Sequence, residues 1–153
     1  MKDAVGGSLL LNIVVIFTSI VILFFAGIMA YSKAYKIKNR IIEVIEKYET
    51  YDNYVYNGSQ PRKSVQELLD EDLRKSGYIV ATPGQVSSKC GTIPGNLNTS
   101  GYLYCVYLKS GTATSERIYE VVTYIHFDFP VIGKLLTFEV HGETKMLGKN
   151  YNY

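Results

Sequence analysis

Cys90, Cys105, His126 and His141 are the side chains of this chain best suited to chemistry. Their count suits a zinc ion, but zinc sites usually draw ligands from pairs about two to five residues apart, and no two of these four stand that close. His126 and His141, with Asp128 and Glu139 nearby, have the types for acid–base work. On an exposed strand face the ordinary use of such groups is cross-strand pairing. Ser64 begins the sequence Ser64, Val65, Gln66, Glu67, the spacing of a helix capping box, so its hydroxyl is expected to accept from the Glu67 amide rather than attack a substrate. The sequence contains no Gly-rich phosphate loop, nucleophile elbow or metalloprotease helix. The expectation is a protein that is not an enzyme, with no catalytic residue, no bound metal and no cofactor.

The two cysteines bracket a segment rich in turn formers, Gly91, Pro94, Gly95, Asn96, Asn98 and Gly101, the kind of loop a disulfide closes. Closing about 15 residues would remove roughly 3 kcal/mol of unfolded-state freedom on the chain-entropy model. Two unpaired buried thiols are the alternative reading of the same residues.

The element that dominates the chain lies far from these groups. Residues 9–31 form an apolar run with no ionisable side chain before Lys33. At about 1.5 Å per residue its roughly 23 residues reach about 34 Å, enough to cross a hydrocarbon core of about 30 Å. A cleaved secretory signal is the competing explanation, but its apolar core is usually only about 7 to 15 residues long. The chain therefore divides into a short leader at 1–8, a transmembrane helix at 9–31, an amphipathic extension at 32–50 and a head at 51–153, large enough for one core. With 16 basic and 14 acidic side chains the formal charge is +2, and four cations, Lys33, Lys36, Lys38 and Arg40, cluster just past the run. On a helix leaving a bilayer these read as partners of lipid headgroups rather than of nucleic acid. Topology signals conflict. The basic flank argues for a cytoplasmic head, whereas a disulfide argues for an extracytoplasmic one. The turn-rich loop between Cys90 and Cys105 tips the expectation to a single-pass cell-membrane protein with the head extracytoplasmic.

Past the membrane, Ala34, Ile37, Ile41, Val44, Ile45 and Tyr48 recur at three- and four-residue steps, so one helix is expected to run from the bilayer into the head. Ala26, Ala30 and Ala34 form a small-residue ridge across the membrane exit, with Ser19 and Asn12 at heptad steps above it. Small ridges let helix backbones approach closely in lipid, and this face is expected to pack against another helix.

In the head, Val65, Leu68, Leu69 and Leu73 mark a short helix ending at Gly77, and residues 78–81 suit a short strand. Residues 82–101 are expected to be the cysteine loop. Residues 102–108 and 117–129 are aromatic and β-branched, and residues 135–146 alternate between apolar and charged. Pairing the last two about a turn near Pro130 to Gly133 sets Glu120 opposite Lys145, Tyr124 opposite His141 and His126 opposite Glu139. The hairpin tip Phe129, Pro130, Val131 and Ile132 is apolar for a turn and needs something to contact. The fold class is α+β: a long N-terminal transmembrane helix continuing into a small head with one short helix and an antiparallel sheet ending in a β-hairpin.

The leader Met1 to Gly7, the apolar helix running into Ala30, Tyr31, Ser32, Lys33, Ala34 and Tyr35, and the terminal strands at 121–133 and 136–144 together resemble TadE/TadF-like pseudopilins, type IV pilin-related proteins of tight-adherence pilus and related secretion or conjugation systems. The resemblance covers about half the chain and is a pattern of elements more than a sharp motif. It implies a bacterial, non-enzymatic minor pseudopilin or accessory subunit of a pilus-like or secretion assembly. Its partners would be other pilin-like or secretion-system subunits, met through the N-terminal helix, and a prepilin peptidase cutting between Gly7 and Ser8. Asn12 stands where polymerising pilins usually carry a glutamate, which favours an accessory over a major fibre subunit. A single-span membrane-anchored binding or sensor module unrelated to pili is the alternative.

Overall fold

A single helix, α1, runs from Lys2 to Tyr48, 47 residues and about 70 Å long. The computed structural model describes residues 2–51, 54–55, 63–82, 85–91, 95–110, 116–127 and 136–148. From Ser8 onward α1 is long and apolar enough to cross a membrane, and no residue of its most apolar stretch is buried in the molecule. The C-terminal half behaves differently. Ala34, Ile37, Ile41, Val44 and Ile45 are buried, the three- and four-residue spacing expected of a helix with one face on a core.

That core is built by an antiparallel sheet and a second helix. Strands β1 (Tyr54–Val55) and β2 (Lys63–Ser64) pair with each other and lead into α2 (Val65–Lys75). The capping box is present: the Glu67 amide donates to Ser64 Oγ at 3.1 Å, and the Ser64 amide donates to Glu67 Oε2 at 3.1 Å. At the other end Gly77 takes a positive φ of 61°. The Tyr78 amide donates to Leu73 O at 3.1 Å and the Gly77 amide to Arg74 O at 3.2 Å, a complete Schellman closure. Val65, Leu69 and Leu73 are thereby set against Ile41, Val44 and Ile45 of α1 in one core.

Helix α3 (Gln85–Cys90) follows, and then β3 (Tyr104–Ser110), β4 (Glu116–Phe127), β5 (Leu136–Glu143) and β6 (Leu147–Gly148). The sheet order is β3-β4-β5, with β6 pairing the start of β4 on the β5 side. One sheet face, carrying Tyr104, Val106, Tyr119 and Val121, packs on α1 and α2. The other, carrying Cys105, Tyr107, Val122 and Tyr124, is covered by α3 and the segment before β3. A sheet covered on both faces explains why residues 104–107 are all buried and show no polar alternation.

Four expectations require correction. Glu120 pairs with Glu143, Tyr124 with Glu139 and His126 with Thr137, a two-residue shift from the register set by charge complementarity. The shift keeps every side chain on its face. The like charges at Glu120 and Glu143 are bridged by Lys109 of β3, at 3.1 and 2.6 Å, an arrangement that two-strand pairing could not reveal. The last strand ends at Glu143 instead of 146, because Thr144 turns inward and fills the ladder gap between β5 and β6: its amide donates to Tyr119 O at 2.9 Å, and its Oγ1 accepts from the Tyr119 amide at 3.0 Å. Lys145 turns to α1, its amide donating to Glu46 Oε1 at 2.7 Å, and Met146 is exposed. Residues 78–81 form only a single bridge, Val80 to Tyr102, and the cysteine loop contains α3. The Thr82 and Gln85 side chains pair at the start of α3, repeating the Ser/Thr-x-x-Glu/Gln spacing that signals α2.

Candidate functional site

The described residues with chemical potential resolve into structural roles. Cys90, at the end of α3, and Cys105, on β3, form a disulfide with their Cα atoms 5.6 Å apart. It clamps α3 onto the outer sheet face beside Leu103, Tyr107 and Val122. The bond also takes two of the four candidate zinc ligands, and among the described residues no three of His, Cys, Asp and Glu gather as a metal site. His141 stands on β5 between two carboxylates, Nδ1 3.1 Å from Glu120 Oε1 and Nε2 3.4 Å from Glu139 Oε2. Burial pushes the Glu120 carboxyl up, but hydrogen bonds from His141 and Lys109 outweigh it and hold the group below its ordinary value. This is a partly exposed charge lattice stitching three strands, the role expected of His141 and Glu139, while the His126 side chain lies outside the described residues. The Asp128 carboxylate lies outside the described residues.

The buried polar groups include several tyrosines and Asn98. The Tyr78 hydroxyl donates to Leu103 O at 2.8 Å and accepts from the Tyr124 amide at 3.1 Å, inserting a phenol where β3 and β4 cease to pair. Burial pushes this hydroxyl up to about 12, against a lowering by its bond to Tyr124. The Tyr51 and Tyr104 hydroxyls meet at 3.1 Å, and Asn98 ties them to the turn before β3 through Nδ2 donating to Tyr104 O at 2.6 Å. Burial raises Tyr104 strongly as well. These tyrosines and Asn98 organise the core.

The basic cluster past the apolar run is largely used by the head itself. Lys33 Nζ donates to Gly77 O at 2.8 Å, where that carbonyl follows the end of α2. Lys38 is buried to 8% exposure with its Nζ 4.3 Å over the Tyr35 ring. Arg40 binds Asp72 of α2 at 2.9 Å and Glu43 at 3.0 Å. Lys36 remains exposed.

The ridge along α1 divides. Ala34 is 3% exposed beneath Ile125 and Val140, its carbonyl accepting from Thr123 Oγ1 at 3.3 Å, and Ala30 packs at the edge of the same contact. The small side chain at 34 thus admits the head's own sheet instead of a neighbouring helix, which corrects the expectation at that position, while Ala30 stays partly exposed. Asn12, Ser19 and Ala26 are exposed. Ser19 Oγ donates to Val15 O at 2.7 Å, a bond within its own helix. Gly7 and Ser8 lie on the helical backbone of α1, and the hairpin tip, Phe129 to Ile132, falls outside the described residues.

Together these features define a small α+β head built on the C-terminal half of one long helix, whose N-terminal half is a candidate membrane span. No family model, curated protein or solved structure matches the chain.

Proposed function

We propose that this chain is a non-enzymatic subunit of a pilus-like or secretion assembly, a TadE/TadF-like minor pseudopilin or accessory component, held by one transmembrane helix with its head outside the cytoplasmic membrane. The observation that carries the reading is the continuity of α1: the same helix that is apolar and exposed through its first half becomes the central core element of the head through its second. A flexible tether would serve a free-standing sensor module. A rigid helix fused to the core serves a subunit whose head position is set by helix packing in the membrane. The Cys90–Cys105 disulfide supports an oxidising compartment for the head.

The packing partners are other pilin-like subunits, met through Asn12, Ser19 and Ala26. A photoreactive amino acid placed at Ser19 in the full chain and activated in native membranes tests this. Covalent adducts to other single-span subunits or to a polytopic platform protein are expected, whereas adducts to lipid alone would favour the monomeric anchor module. Orientation is read separately: with an impermeant thiol reagent on intact cells and on denatured extracts, the cysteines should be labelled only in denatured extracts given reductant, because both sulfurs are joined and buried. Free thiols shielded until lysis would place the head in the cytoplasm.

A further inference from the structure

The end of the sheet does not stop at the level where the apolar run stops. Ile125, Phe138 and Val140 reach back along α1 and face Phe24, Ile28 and Tyr31 across an open apolar groove of about 650 Å³. Phe138 is 54% exposed there, Phe24 67% and Ile28 49%. One wall of the groove belongs to the helix segment apolar enough to cross a membrane, so the groove is continuous with the surface that lipid would cover. Its upper limit is marked by Tyr31 stacked on Tyr35, ring centroids 6.4 Å apart and both rings exposed, aromatic side chains of the kind found at the headgroup level. From Phe24 to Tyr31 the helix rises about 10 Å, at the upper end of the roughly 5–10 Å to which interfacial elements sink their apolar faces. Glu139, which borders the groove, has its carboxylate bridged to His141.

We infer that acyl chains of the leaflet on the head's side fill this groove, so that the head is seated in the membrane surface by the end of its own sheet instead of standing off it on a stalk. The inference rests on the transmembrane reading of α1 but not on the pilin-like one. With the headgroup level at Tyr31, a crossing of about 20 residues ends there, and the end of the sheet enters its last 10 Å or so.

The chain contains no tryptophan, so single reporters are clean. Full-length Phe138→Trp, Phe24→Trp and Met146→Trp are reconstituted in phosphatidylcholine vesicles whose lipids carry bromine on the upper acyl carbons. Phe138→Trp should be quenched to within about a factor of two of Phe24→Trp, as expected for groups at one depth. Met146→Trp should respond only to aqueous iodide. An unquenched Phe138→Trp beside a quenched Phe24→Trp overturns the seating while keeping the span. If Phe138→Trp is shielded from both bromine and iodide, a protein surface occupies the groove and the inference fails. If Phe24→Trp is also unquenched, the transmembrane reading fails with it. In the unsubstituted chain, a diazirine-bearing phospholipid should label the peptide containing Phe138, and labelling confined to α1 would again overturn the proposal.

Discussion

Tyr78 shows how much of this head is held by phenols used as backbone substitutes. It follows Gly77 in the Schellman turn, so its side chain is aimed by the α2 terminus, and its hydroxyl completes the β3–β4 ladder one step beyond the last backbone pair. Tyr78→Phe should cost about 1–3 kcal/mol, because the Leu103 carbonyl and the Tyr124 amide lose their partner in a dry site. Chemical denaturation of the detergent-solubilised chain measures it. The same group sets an alkaline limit. Its folded value, about 12, exceeds its ordinary 10.0, so the folded state keeps a proton that the unfolded state releases. Stability from this group is complete below pH 10 and falls as pH rises through that window. Tyr104, raised in the same direction by burial, adds to the slope, so Tyr78→Phe should reduce the alkaline loss without abolishing it.

At the scale of elements, legibility followed the range of the interaction. The continuous helix from the apolar run into the head, the Ser64–Glu67 box, the Gly77 terminus and the antiparallel pairing of the last long strands rest on local spacing and pattern, and each stands in the structure. The register was missed because two strands were balanced for charge alone, whereas Lys109 from a third strand neutralises Glu120 and Glu143 together. Strand β6 was missed because two residues after an inward-turning Thr144 carry no periodicity. Gly142 illustrates a non-local cause: a Cβ there would come within 2.9 Å of the Lys38 and Ile42 side chains, so β5 approaches α1 closely at this glycine. The disulfide belongs to this scale too. Replacing Cys90 and Cys105 together by serine should destabilise the head by about 3 kcal/mol on the loop-entropy model, measured against the oxidised parent at equal pH. A loss below about 1 kcal/mol would mean that packing of α3 on Leu103 and Tyr107 holds the loop without the bond.

At the scale of the whole molecule, α1 performs two jobs with one kind of residue, and the structure separates them by position. The small side chain at Ala34 is consumed by the head, since Thr123, Ile125 and Val140 rest against it, with Ala30 at the edge of that contact, while Ala26, Ser19 and Asn12 lie beyond the sheet's contact with Ala34. The basic residues after the apolar run divide similarly, with Lys33 and Arg40 docking α2 and Lys38 lying under the sheet, so a basic flank here has a folding cause independent of membrane orientation. Leucine substitutions should therefore have opposite consequences along a single helix. Ala34→Leu overpacks a closed contact and should cost the head about 1–3 kcal/mol. Ala26→Leu should leave head stability and membrane insertion unchanged, since leucine favours lipid, but should weaken crosslinking to neighbouring subunits by blocking close backbone approach. The paired readouts are denaturation of the solubilised chain and crosslinking yield in native membranes. Equal crosslinking for parent and Ala26→Leu would remove helix packing from this face and leave lipid as its only neighbour. Unchanged stability in Ala34→Leu would show that the sheet can shift on α1, and so that the head is not rigidly fixed to its anchor.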